Sequence, residues 1–177
     1  MTRTISGRVA ELGLALDPAA APAANYVPFV QEGNLLYISG QISRAGGKAA
    51  FLGQLGNQIS EADGVAAARL SALGILAQIA AATGDRLDRV ARVVRLGVFV
   101  ASTPDFNRQS AVANGASDLM VEVFGDAGRH ARSAVGVASL PQGVAVEVEA
   151  VIALTPPDAA APPPPGATFL ESPCPPS

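Results

Sequence analysis

Apolar and polar positions alternate with two different periods along this chain. From Val65 to Ala82, apolar residues recur at 3–4 spacing (Val65, Ala68, Ala72, Ile75, Ile79, Ala82), which predicts a long helix. Ser60-Glu61-Ala62-Asp63 supplies its N-terminal cap and Gly84 its stop. A weaker 3–4 pattern (Val9, Leu12, Leu16) predicts a short helix from Thr4 to Leu16, ended by Asp17-Pro18 and serving as a packing cap. A third helical region runs from about residue 105 to 124, with Asn114-Gly115 expected to interrupt it.

Period-two or β-branched runs predict strands at Tyr26 to Gln31, Leu35 to Gln41, Val90 to Val100, Arg132 to Ser139 and Val144 to Leu154, with a short one at Ala49 to Leu52. Glu32-Gly33-Asn34 reads as a hairpin turn, with Gly or Asn at the positive-φ position. Leu140-Pro141-Gln142-Gly143 reads as the turn joining the last two strands directly. The order α, β, β, β, α, β, α, β, β describes an α+β sheet with two main helices on one face. With only two long helices, the other face is expected to be covered by another subunit. The domain reading is 1–24 as N-terminal helix and linker, 25–154 as the folded domain, and 155–177 as a Pro/Ala-rich, disordered or polyproline-like tail.

Composition narrows the chemistry. Nine of the 14 prolines lie in that tail, leaving a body of ordinary single-domain size. Hydrophobic residues make up 49% and charged residues 15%, enough apolar material for a substantial core. The sequence reads as a cytoplasmic protein, without a signal peptide or a continuous apolar span. The one cysteine, Cys174, excludes an intrachain disulfide, and the one histidine, His130, excludes a paired-His zinc site. Lys48 is the only lysine, and it lies in a Gly-rich turn. Net charge is −3 with no basic run, which argues against a nucleic-acid partner. Any enzyme here works with Arg, Glu, Ser, Tyr, backbone groups and water.

Strand alternation places Val144, Val146, Val148, Ala150 and Ile152 on one face, and Glu147 with Glu149 on the other. Two carboxylates on one face of a strand are costly unless solvated, paired or used. Arg132 shares a face with Ala134, Gly136 and Ala138, so its guanidinium has a small-residue floor and could receive a carboxylate; a structural salt bridge is the competing reading. A tight final hairpin would set Glu147 opposite Gly136, roughly 13 Å from Arg132, too far for a direct pair. A site using both would then need a ligand, a water or a neighbouring subunit between them. Arg92 and Arg95 read as solvated rim groups, and His130 as a loop or rim histidine.

Together, Gly33-Asn34 with Ser39-Gly40-Gln41, and Ala131-Arg132-Ser133 with Leu140-Pro141 and Val146-Glu147-Val148-Glu149-Ala150, resemble the RidA/YjgF family, also called the L-PSP endoribonuclease family. The resemblance spans most of the body. It implies a chorismate-mutase-like fold and a homotrimer whose sheets form an inner barrel, with clefts between subunits. It implies hydrolysis of reactive enamines and imines of the 2-aminoacrylate type to 2-keto acids and ammonia, with no metal or organic cofactor. Residue by residue, it implies Arg132 as the carboxylate grip, Glu147 as the group orienting water, and Tyr26, Ser39 and Asn114 lining the cleft. His130 stands where many members have proline, and the segment from Asp105 to Arg132 is longer, as in a divergent branch. A trimer that binds a small carboxylate without turnover, or one that hydrolyses another small C–N intermediate, fits the same residues.

Overall fold

The computed structural model describes residues 3–22 and 24–156. The Pro-rich tail predicted from residue 155 lies, from residue 157 on, outside the described residues.

α1 (Ile5–Glu11) buries Ile5 and Val9, and Thr4 Oγ1 accepts from the Gly7 amide as its N-terminal cap. It is shorter than the predicted Thr4 to Leu16. Gly13 adopts φ +72°, and the Leu14 amide bonds back to the Val9 carbonyl. That left-handed glycine closes the helix before the Leu16 position is reached. α1 is nevertheless the packing cap expected of it: Arg8 donates to the Glu122 carbonyl at the far end of the third helix.

β1 (Phe29–Glu32) and β2 (Leu35–Ile42) form the predicted hairpin, with Gly33 at φ +58° supplying the left-handed turn residue. β3 (Arg44–Ala45) and β4 (Lys48–Ala49) make a separate small hairpin where one strand from Ala49 was expected. α2 (Glu61–Thr83) starts and stops as its caps predict. The Asp63 amide donates to Ser60 Oγ, and Gly84 is left-handed. Ala68, Ala72, Ile75 and Ile79 of the stripe are buried. This helix is long and apolar enough to cross a bilayer by length and composition, but it is the core helix of the fold, packed along the sheet.

β5 (Val90–Ala101) is followed by α3 (Gln109–Phe124), β6 (Ala131–Val137) and β7 (Val146–Leu154). The sheet order is β1-β2-β7-β5-β6, with β5 and β6 parallel and all other pairs antiparallel. α2 covers β2 and β7, and α3 covers β5 and β6, so both helices lie on one face as expected.

Two expectations fail here. α3 runs unbroken through Asn114-Gly115, because Gly115 serves packing. A Cβ on Gly115 would overlap the Val65 carbonyl oxygen of α2, so glycine is what lets the two helices touch. The last two strands are also not a hairpin. β5 lies between β6 and β7, and the segment 138–145 straddles its end, where Ala101 and Ser102 donate to the Ala145 and Val137 carbonyls. β5 is the longest strand and pairs along both edges. Gly136 therefore stands opposite Val100, while Glu147 stands opposite Phe99 and Ile42.

Gly115→Ala should destabilise the fold by about 1–3 kcal/mol or more, because the new methyl must push backbone aside. Urea unfolding of the variant against wild type measures this, and an unchanged midpoint would contradict the close helix contact.

Candidate active site

The register of β5 fixes which side chains can meet. Arg132 pairs with Leu96, Leu96 pairs with Ala150, and both partners are buried under the helices. Paired residues point to the same side of a sheet. Arg132 is thus on the helix face, at the outer edge of the sheet. Glu147 alternates with buried Val146 and Val148 and points to the open face. One chain holds the two residues on opposite faces. The hairpin distance expected between them does not apply, because β5 lies between their strands.

On the helix face, α3 builds a cradle for Arg132. Nη1 donates to Asn114 Oδ1 at 3.0 Å and to Ser117 Oγ at 2.8 Å, and Nη2 donates to the Ser110 carbonyl at 3.0 Å. Ser110, Asn114 and Ser117 recur at helical spacing, which presents them along one stripe. All three acceptors are neutral, and Arg132 has no ion-pair partner among the described residues. The structural salt bridge considered from the sequence is not formed among the described residues. The Nε–H and the second Nη2–H have no acceptor among the described residues. Two donors of the guanidinium are therefore left for a ligand, and a carboxylate oxygen is a suitable acceptor.

His130 lies in the loop before β6, as expected, and is also tied into this cradle. Its Nδ1 is 2.6 Å from the Gly128 carbonyl, and its Nε2 is 3.0 Å from Ser117 Oγ. A carbonyl can only accept, so Nδ1 carries a proton. In the neutral ring Nε2 then takes the Ser117 hydroxyl proton, and the Ser117 oxygen is turned to Arg132. Ser117 and Ser110 were not among the candidates read from the sequence. Their spacing from Asn114 was visible there, but the partner strand facing that stripe was not.

On the open face, Glu147 lies across Gly40, where any Cβ would overlap its carboxylate. Ser39 and Gly40 occupy the register shift between Ile38 and Gln41, a bulge that bends β2 around the acid. Tyr26, Pro28 and Gln142 complete a small recess of about 80 Å³ against Glu147. Ser39 is adjacent, but its hydroxyl donates to the Val27 carbonyl at 2.8 Å and lines a different recess, with Tyr37 and Glu149. The structure therefore groups Tyr26 with Glu147, and Asn114 with Arg132, and puts Ser39 beside the first group. Arg92 and Arg95 are exposed, as expected, with Arg95 Nη1 3.9 Å from Glu149 Oε1. Burial, and secondarily the Glu149 charge, push the Glu147 carboxyl above the usual carboxylate range. Among the described residues no group of His, Cys, Asp or Glu could hold a metal ion.

This fold has known counterparts. A sequence model of the YjgF/chorismate mutase-like family, described as putative endoribonuclease, matches residues 6–149. The chain belongs to the RidA/YjgF family. It is 54% identical to Protein TCP17 of Trypanosoma cruzi over 159 residues, covering 87% of this chain and 99% of that one. A crystal structure of a protein of unknown function from Agrobacterium tumefaciens is 48% identical, with a TM-score of 0.80 over 85% of this chain and 92% of that chain. A putative endoribonuclease from Shewanella oneidensis is 34% identical, with a TM-score of 0.82 over 86% of this chain and 100% of that chain. RidA from an Antarctic Psychrobacter is more distant, at 25% identity and a TM-score of 0.52 over 86% of this chain and 97% of that chain.

A raised carboxyl pKa carries a sign for stability. Above the ordinary value the unfolded state ionises more readily, so the ionised Glu147 opposes folding as pH rises. Glu147→Gln should therefore gain thermal stability relative to wild type at neutral pH and lose that gain near pH 3. Carboxyl titration by NMR should place Glu147 above ordinary glutamate. Glu149→Gln should bring it only part of the way down, because burial is the larger cause. A return to the ordinary value would make Glu149 the main cause instead.

Proposed function

We propose that this chain assembles as a homotrimer through its open sheet face and hydrolyses small reactive 2-imino or enamine acids to 2-keto acids and ammonia, without a cofactor. The observation that carries this reading is the Arg132 guanidinium, held by three neutral acceptors with its Nε–H and one Nη2–H unpartnered among the described residues. Such a group is preorganised for the carboxylate of a small acid.

The open face supports the assembly. Val30, Tyr37 and Val135 stand on it about half exposed, beside half-buried Glu147 and Glu149. A second copy over this face would cover that apolar surface. It would also bring its own Glu147 recess toward the Arg132 edge of its neighbour. Arg132 then orients the substrate carboxylate, and Asn114 and Ser117 hold the guanidinium still. Glu147, made more basic by burial, accepts a proton from water as the water oxygen bonds to the imine carbon. That proton passes to nitrogen to give the amino alcohol, and transfer of the remaining hydroxyl proton to nitrogen as the carbonyl forms breaks the C–N bond and releases ammonia. Tyr26 closes the recess around that water. The location this implies is cytoplasmic, where such intermediates arise.

A second reading has an observation of its own. Since the receptor and the acid are separated within one chain, the assembly could hold a carboxylate without turning it over, or act on another small C–N intermediate.

Release of 2-keto acid from freshly generated 2-imino acids, with semicarbazide as competitor, separates these. Wild type should accelerate release, and Arg132→Ala should lower the enzymatic rate at least about a hundredfold. Binding of a 2-keto acid without acceleration would favour the non-catalytic reading. Light scattering should report three chains per particle, and a stable monomer would contradict the proposed cleft.

A further inference from the structure

Near the Arg132 cradle, a recess of about 470 Å³ lies at the start of α3. The two adjoin along α3 and β6. Ser110, whose carbonyl accepts from Arg132, follows Gln109, which lines the recess. Gly136 lines it as well and lies on the same strand face as Arg132, four residues along. A three-carbon imino acid held by its carboxylate would leave this space unused.

The recess has a definite chemistry. No charged side chain lines it. Gln54 Nε2 donates to the Ala138 carbonyl at 2.7 Å, and Gln109 Nε2 donates to the Phe106 carbonyl at 2.7 Å. Those bonds orient both amides and leave each Oε1 without a partner among the described residues. The Ser102 and Thr103 hydroxyls are likewise without side-chain partners among the described residues. Phe106 and Val137 supply the apolar part of the wall. Gly136 keeps the space open, since a Cβ there would sit 2.8 Å from Ser102 Oγ and 2.9 Å from Gln109 Nε2. Its φ is not in the left-handed region, so backbone conformation does not explain the glycine.

We infer that this recess selects carboxylate substrates with an extended, uncharged, hydrogen-bonding side chain, such as one ending in a primary amide. The Gln54 and Gln109 oxygens would accept from the amide N–H groups, and the Ser102 and Thr103 hydroxyls would donate to its oxygen. A distal carboxylate or ammonium would be desolvated without a counter-charge. A plain alkyl chain would bury these polar groups unsatisfied. The inference rests on Arg132 being the carboxylate receptor.

Three stable probes test it by ligand-observed NMR titration: butanoate, glutaramate (a carboxylate with a distal amide) and glutarate. Wild type should bind glutaramate at least about tenfold more tightly than either other probe. Gly136→Val, which fills the recess, and Thr103→Val, which keeps shape but removes a hydroxyl, should each reduce that preference while leaving butanoate affinity unchanged. Arg132→Ala should lose all three probes. Equal binding of butanoate and glutaramate by wild type, with both lost in Arg132→Ala, would overturn the selectivity and leave the receptor intact. Retention of all three probes by Arg132→Ala would overturn the receptor and the selectivity together.

Discussion

The position of β5 between β6 and β7 is the constraint on which the rest depends. A strand that pairs along both edges transmits one sidedness across the whole sheet. Leu96, paired with Arg132 on one side and Ala150 on the other, is buried beneath the helices. Once Leu96 faces the core, period-two alternation sends Arg132 to the helix side and Glu147 to the open side. No rotamer change undoes that separation. The division of the chemistry between two surfaces is thus a property of strand order and register, more than of any individual side chain.

Each surface then positions its candidate residue by different means. On the helix side, α3 offers Ser110, Asn114 and Ser117 at helical spacing, and these acceptors fix Arg132 without neutralising it. A carboxylate partner would have consumed the charge that a ligand needs. On the open side, the bulge at Ser39-Gly40 and the absence of a Cβ on Gly40 let Glu147 lie down against the strand. The resulting burial, beside a second acid, makes ionisation harder. One surface keeps a cation without a counter-charge among the described residues, and the other makes a carboxylate harder to ionise.

Much of this was legible in the sequence because the signals are local. Ser60 and Gly84 bound α2, Gly33 turns the first hairpin, and alternation along β7 separates its valines from its glutamates. What was not legible depends on partners distant in sequence. Leu140 to Gly143 looks like a hairpin turn, and nothing within it reveals that β5 has inserted between the strands it joins. Gly115 looks like a break, yet its role is set by the Val65 carbonyl fifty residues earlier. Arg132 was identified by type and by its small-residue neighbours, while the Ser110 and Ser117 acceptors required knowing which helix lies above it. The family resemblance supplied the overall fold, and the register supplied the geometry.

In the proposed assembly a complete site takes Arg132 from one copy and Glu147 from another. Complementation tests it most directly. Arg132→Ala and Glu147→Gln chains, each inactive alone, would be unfolded together, refolded as a mixture, and assayed for imine hydrolysis. With random mixing in a closed three-fold ring, about a quarter of the clefts regain both native residues, so activity should return to roughly that fraction of wild type. A mixture as inactive as its components, with mixed particles demonstrated by mass spectrometry, would contradict a shared site.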